Sequence, residues 1–476
     1  MKKKTPGPSA LSHQGRKNRA GRLVFPILLL GFLLFGCQGN NDPSVPSLPA
    51  DVVNVSSNPT TSFSPATAAS GDTVYVAWTD QAGAGNFEVF LSRSTNGGSE
   101  FGAPVNLSES AAFSGNPRMA LSGNSLYIVW EEFITDKNET DIFFRRGDDQ
   151  NGTLVWDPPL PGPGKNLSPS SPVCGQKADG PCPSQRPAIA VIDNHVFIAW
   201  DESTDYVFTF ASLNPPAQSF LIINSEILMV HSANNGIEFL PFPGPTSATD
   251  PRPKPISSIK PLPATPSLNP ALVSANGHLY VAWEDFVQPN TKILFRRMPD
   301  PNNGSFTPPL TAQGTILSGS ILGATRPSLA AEGETILLGW EGFASLTSNC
   351  PLVGTDGSPL PNSEIFMIRS SDGGVTFEPS DPSAGNLSNT LCGSNNAKIA
   401  FSGNAVHAVW EDNTPGITGI SFRKSVDGGT TFGSVENLSR TAGSASNPAV
   451  AASGLNLFAF WEDSTLGNLE VVFARR

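Results

Sequence analysis

Histidine, tyrosine, cysteine and methionine are all scarce in this chain of 476 residues, at 5, 4, 5 and 5 copies. So few histidines leave little material for a histidine base or a histidine-ligated metal. No metal-ligand spacing, phosphate-binding glycine loop or Ser-His-Asp arrangement occurs, and neither metal nor cofactor is expected. Basic residues are also few: 29 Lys and Arg face 41 Asp and Glu, a net charge of −12. That balance opposes a nucleic-acid partner or binding to anionic lipid surfaces. Helical periodicity is missing outside the N-terminus. The one long apolar run, residues 23–36, is too short to span a bilayer comfortably.

Tryptophan, by contrast, recurs with regularity. Seven of the 8 tryptophans, Trp78, Trp130, Trp200, Trp283, Trp340, Trp410 and Trp461, end a short apolar run, and an acidic residue follows within two positions. Only Trp156 falls outside the pattern. The intervals between successive members, by subtraction, are 52, 70, 83, 57, 70 and 51 residues. A unit of about 50 residues with variable insertions is a repeat architecture. In the strand ending at Trp78, Val74, Val76 and Trp78 point one way and Tyr75 and Ala77 the other. A strand apolar on both sides is covered on both sides, so the tryptophans are expected to pack between repeats. His407 takes the slot of Tyr75, Tyr127 and Tyr280 and is read as a packed histidine.

Each repeat reads as short β-runs separated by Gly, Asn, Asp and Ser. Four short strands per unit is the size of a propeller blade. The expected fold is all-β, a seven-bladed β-propeller of four-stranded blades. The final segment, Val471-Val-Phe-Ala-Arg-Arg476, matches the third strand of other repeats, and Asp51-Val-Val-Asn-Val-Ser56 matches a fourth. The two are expected to share one blade, closing the ring three strands plus one and leaving no open edge there.

Ser370-Ser-Asp-Gly-Gly-Val-Thr-Phe377 and Ser425-Val-Asp-Gly-Gly-Thr-Thr-Phe432 fit S-x-D-x-G-x-T-[FW]; weaker copies start at Ser94 and Ser232. Asp accepts backbone N–H groups in a tight turn, Gly permits positive φ, and the Phe is expected to fold back beneath its hairpin. This is the Asp box, or BNR repeat, and the chain from residue 51 onward resembles the sialidase-like β-propellers. The resemblance implies that Asn96, Asp372 and Asp427 are structural, away from the catalytic face.

Residues 1–22 hold seven Lys or Arg and no acid, and Leu34-Phe35-Gly36-Cys37 follows the apolar run. This resembles a bacterial lipoprotein signal. It implies a signal peptide at 1–36, lipidation (palmitate included) at Cys37, a tether at 37–50 and the propeller at 51–476. Gln38 fits placement in an outer membrane, with the membrane touched only through the lipid. An uncleaved anchor is the alternative. Removing 7 of the 29 basic residues leaves 22 against 41 acids, a balance of −19. Of the remaining cysteines, Cys174 and Cys182 share one insertion, and Cys350 and Cys392 lie in loops expected side by side. Disulfides Cys174–Cys182 and Cys350–Cys392 are expected for an extracytoplasmic protein.

The loops after each Trp and between blades should open on the face opposite the Asp boxes, and functional residues concentrate on such loops. Arg118, Arg186, Arg326 and Lys398 start first strands there, and Tyr206 and Asp201 lie nearby. Three arginines converging on a cavity could hold a carboxylate; equally, they could pair with the acids after each Trp. Sialidases also use a Tyr–Glu nucleophile pair, an acid/base Asp and an F/Y-R-I-P motif, and no such motif occurs here. The expected function is a monomeric, surface-tethered lipoprotein binding glycan or protein ligands, without clear catalytic machinery. The alternative is a divergent sialidase-like glycoside hydrolase using Arg118, Arg186, Arg326, Tyr206 and Asp201.

Overall fold

A computed structural model of the chain describes residues 47–476, except 83–84, 137, 170–182, 204–205, 210–218, 223–224, 243, 245–252, 258–265, 344–349, 351–361 and 415, and the side chains of 206–209 and 219–222. The signal peptide, Cys37, the Cys174–Cys182 pair and the Tyr206 side chain lie outside the described residues.

Seven antiparallel sheets follow one another along the chain. Their first strands are Ser62–Ser70, Ser114–Ser122, Ser184–Ile192, Ser267–Ala275, Leu322–Glu332, Ser394–Ser402 and Ala445–Ser453. Each first strand lies against that of the next sheet, and the seventh lies against the first. The molecule is a seven-bladed β-propeller. The seventh blade closes as three plus one: Val53–Asn54 pairs antiparallel with Glu470–Arg475, with Val53 opposite Phe473. Among the described residues three blades depart from the simple plan, the third by an added hairpin, Tyr206–Thr209 with Ser219–Ile222. The second adds Thr153–Asp157 to its third strand, and the fifth pairs its fourth segment only through the bridge Phe366–Asn386.

The Trp strands sit in the blade interfaces. Trp78, Val74 and Val76 pack with Phe458 and Phe460 of the preceding seventh blade, while Tyr75 and Ala77 pack with Leu126, Ile128 and Trp130 of the next. All seven of these tryptophans are buried. The second residue after Trp accepts the indole N–H: Asp80, Glu132, Glu202, Asp285, Asp412 and Asp463 in six blades. In the fifth blade Gly342 takes that place, and Trp340 Nε1 has no partner among the described residues. The serine of each Asn-Leu-Ser-like segment accepts a third-strand N–H, as Ser108 does from Val89 (2.9 Å) and Ser439 from Ile420 (3.0 Å). His407 is buried and stacked on Phe422, with neither ring nitrogen hydrogen-bonded among the described residues.

The Asp boxes hold the turn between third and fourth strands. Asp372 accepts the N–H and the hydroxyl of Thr376 at 2.9 and 2.6 Å, and Asp427 treats Thr431 alike. These hydrogen bonds hold both carboxyls well below the usual carboxylate range. In the two weaker copies, Asn96 and Asn234 accept only a backbone N–H at that end of the turn. The closing phenylalanine does not fold beneath its own hairpin. Phe377 packs edge-on against Phe295 of the preceding blade, and Phe101 against Phe460 and Phe473 of the seventh. The box leans on its neighbour because its second glycine admits close approach: a Cβ at Gly98 would lie 2.2 Å from the Phe473 ring.

Candidate functional site: the cationic channel mouth

Every first strand has a bulge near its start, where one residue takes a left-handed conformation with φ between 50° and 53°. The residue is Asn116, Asn269, Asn396 or Asn447 in four blades, Ser64 in the first, and Arg186 and Arg326 in the third and fifth. Proline follows in all but the sixth blade, where Ala397 does. Asn tolerates this backbone through its short polar side chain, whereas Arg has no such compensation.

The residue directly after Trp holds this bulge across the blade interface. Glu462 accepts the Ser64 N–H at 2.7 Å, Glu131 that of Arg186 at 2.7 Å, and Glu284 that of Arg326 at 3.0 Å. Asp201, Glu341 and Glu411 do the same for Asn269, Asn396 and Asn447, and the Thr79 hydroxyl does it for Asn116. The carboxylate also takes the bulge side chain of its own blade, as Glu284 takes Asn269 Nδ2 at 2.8 Å. The acids after Trp are thus a ring of latches, one carboxylate bridging two blades.

Arg186 and Arg326 occupy that ring. Arg186 meets Asp201 through two hydrogen bonds of 2.7 and 2.6 Å, and Arg326 Nη1 meets both oxygens of Glu341 at 2.9 and 3.0 Å. Their side chains remain 39% and 54% exposed. Burial pushes the Asp201 carboxyl up to about 6, with Arg186 drawing it back. Arg118 and Lys398 belong to a different slot, two residues after the bulge. So the four bases do not share one position in the repeat. Neither of the second pair has a carboxylate partner among the described residues: Arg118 donates to the Pro117 carbonyl at 2.8 Å, and Lys398 chiefly to Asn396 Oδ1 at 2.5 Å. Burial and then the Arg118 charge lower Lys398 to about 8.

All four bases line one central cavity of about 570 Å³, whose only acidic lining residue among the described residues is Glu411. The cavity opens on the face that carries the blade-to-blade loops, opposite the Asp boxes. On this face the Cys350–Cys392 disulfide ties the insertion of the fifth blade to the loop entering the sixth. The hairpin Tyr206–Thr209 with Ser219–Ile222 rises from the third blade beyond Asp201. The three sequence-selected arginines therefore come together, but two have their fork engaged by an acid. The latch ring itself went unrecognised in the sequence, although the bulge residues are visible there as Asn-Pro, Arg-Pro and Ser-Pro pairs.

No protein-family model matches the sequence, and no curated protein does either. Among solved structures, a polysaccharide lyase described as an ulvan lyase aligns over 87% of this chain and 93% of its own, at 10% identity and a TM-score of 0.54. A second structure of that lyase, bound to -[GlcA(1-4)Rha3S]-, aligns with a TM-score of 0.52 at 10% identity, over 90% of this chain and 94% of its own. A Trypanosoma rangeli sialidase gives 12% identity and a TM-score of 0.44; the alignment takes in 90% of this chain and 60% of the sialidase. At these identities the likeness concerns the fold.

Proposed function

We propose that this protein is a surface-tethered lipoprotein whose channel mouth binds anionic glycans, without turning them over. The observation that carries the reading is the placement of Arg186 and Arg326. Both occupy a left-handed position that asparagine fills in four other blades, and both line the cavity with side chains left partly exposed. A strained residue of this kind persists where its side chain has a task. Arg118 and Lys398 add charge not engaged by carboxylates, suited to a carboxylate or sulfate group. The saccharide bound by the lyase of similar fold is compatible with this reading.

The tether reading has a geometric corollary. Asp51 pairs with Arg476 at 2.9 Å, in the place other blades give to the turn between third and fourth strands. A tether from Cys37 would therefore join the propeller on that side. The test is a glycan array probed with the mature chain. Binding confined to uronate- or sulfate-bearing saccharides, lost in Arg186→Asn with Arg326→Asn, is expected. Binding to neutral glycans alone, or no change in the double variant, would defeat the reading.

A hydrolase reading rests on Asp201, whose raised carboxyl is in the range of a general acid. Its oxygens are already taken by Arg186 and by the Asn269 N–H. Release of sialic acid from an aryl sialoside that disappears in both Tyr206→Phe and Arg186→Ala would establish that activity instead.

A further inference from the structure

Three third strands carry an arginine at one equivalent place. Arg145, Arg296 and Arg423 each stand opposite the residue two before the Trp: Ile128, Val281 and Ala408. The first two are fully buried and hydrogen-bond to backbone carbonyls. Arg145 donates to the Pro158 carbonyl at 2.6 Å and to that of Gly162. Arg296 donates to the carbonyls of Pro308 at 2.6 Å, Pro309 at 2.8 Å and Ala312 at 2.6 Å, and its Nε reaches Ile256 in the preceding blade at 3.0 Å.

The clamped segments share a sequence. Pro158-Pro-Leu160 and Pro308-Pro-Leu310 each place leucine eight residues before the serine that caps the third strand, Ser168 and Ser318. Both leucines pack into the cleft between their own blade and the one before it. The cleft between blades six and seven is filled in the same manner. Leu48, eight residues before Ser56, packs there among residues of both blades.

The third arginine lacks its segment. Blade six joins its third and fourth strands through an Asp box and the short run Phe432-Gly-Ser-Val435, with no Pro-Pro-Leu. The Arg423 side chain makes no hydrogen bond among the described residues, and its Nε is buried without a partner. The cleft it faces, between blades five and six, holds a cavity of about 510 Å³. Met367, Leu387 and Phe432 give that cavity an apolar wall; Arg369 and Glu378 stand beside Arg423.

We propose that this cleft, at the Asp-box side of blades five and six, is a docking site for a Pro-Pro-Leu segment of another protein chain. The carbonyls of the segment would accept from the Arg423 fork, as those of residues 158–162 and 308–312 do within the molecule. The leucine would enter the Met367, Leu387 and Phe432 wall. Proline suits the occupant because its ring fixes φ and leaves little freedom to lose on docking. The inference is independent of the glycan reading, since it concerns another face and other residues.

The probe is a fluorescein-labelled peptide with this chain's own sequence at residues 157–164, titrated into the mature chain and followed by anisotropy. Saturable binding is expected, weakened about tenfold or more in Arg423→Gln and also when the peptide leucine is changed to serine. Arg423 is half-buried and makes no side-chain hydrogen bond, so the variant should keep its unfolding midpoint. A second variant joins the third and fourth strands of blade six with residues 157–163 in place of Gly433 and Ser434, which keeps the leucine eight residues before Ser439; it should fill the cleft and abolish binding. Absence of saturable binding would overturn the proposal. So would binding unchanged in Arg423→Gln, or competition by sulfate with no dependence on the peptide leucine, which would mark a simple anion site. Self-association lost in Arg423→Gln would assign the cleft to a second copy and overturn it equally.

Discussion

The backbone N–H of Arg326 is held by Glu284 of the preceding blade at 3.0 Å, while the Arg326 guanidinium turns to Glu341 of its own. One residue thus serves the ring through its backbone and the cavity through its side chain. The two roles are separable by mutation.

Arg326→Asn should keep the latch, because Asn fills this left-handed position in four blades. Stability is expected to stay within about 1 kcal/mol of the parent or to rise, because asparagine suits the backbone better. Anionic-glycan affinity should fall about 10- to 100-fold, the scale of one charge-assisted contact. Thermal unfolding and titration of the same preparation check both halves.

Glu284→Leu should do the reverse. It leaves the Arg326 N–H and Asn269 Nδ2 without their acceptor in a buried interface. A loss of about 1–3 kcal/mol is expected by denaturant unfolding. Glu284→Gln keeps an acceptor oxygen and should cost less. Thr79, which holds the same bond in the first blade without a charge, supports that ranking.

His407 should make the protein acid-sensitive. Burial lowers its imidazole to about 4, against an ordinary value of 6.5. Between those values the unfolded chain binds the extra proton and the folded chain does not. Stability therefore falls as pH drops from about 6.5 to 4. Phe197 and Phe458 fill this slot in other blades. His407→Phe should gain about 3 kcal/mol relative to the parent on going from pH 7 to pH 4. Unfolding curves at both values, for both proteins, measure the difference. His231, also lowered to about 4, stays in both proteins and cancels from the comparison.

The Cys350–Cys392 bond joins residues 42 apart. On the chain-entropy view it stabilises by about 4 kcal/mol. Replacing both cysteines by alanine should lower the urea midpoint to about that of the reduced parent.

The ring of blades was legible because its signals are local and repeated. Trp78 and its six counterparts, the Asn-Leu-Ser segments and the Asp372 and Asp427 boxes each occur within a few residues. The three-plus-one closure followed by matching Val53 and its neighbours to a missing fourth strand. The purpose of the acids did not follow. Glu131 reads as one of many acids after a Trp, and its partner, the Arg186 N–H, lies 55 residues away in another blade. Arg118 follows its proline and Arg186 precedes its own, a difference whose meaning appears only with the bulge, which is a backbone event. The Pro-Pro-Leu segments were visible, at a fixed distance from Ser168 and Ser318, but nothing in a linear reading says which arginine waits for them. The closing phenylalanines misled for a related reason: Phe377 is sequence-adjacent to its own hairpin, yet the apolar surface that needs cover belongs to Phe295 next door.

Pairing Val53 with Phe473 also fixes when the molecule can become whole. The seventh blade draws on strands 420 residues apart, by subtraction, so the ring has no lock until its last strand exists. A chain emerging from a ribosome carries six blades with two raw flanks, one at Ser62–Ser70 and one at Ser394–Ser402. Those flanks are apolar surfaces that want each other and cannot yet be bridged. A chain built this way stays open to the end of its synthesis, and it seals only then.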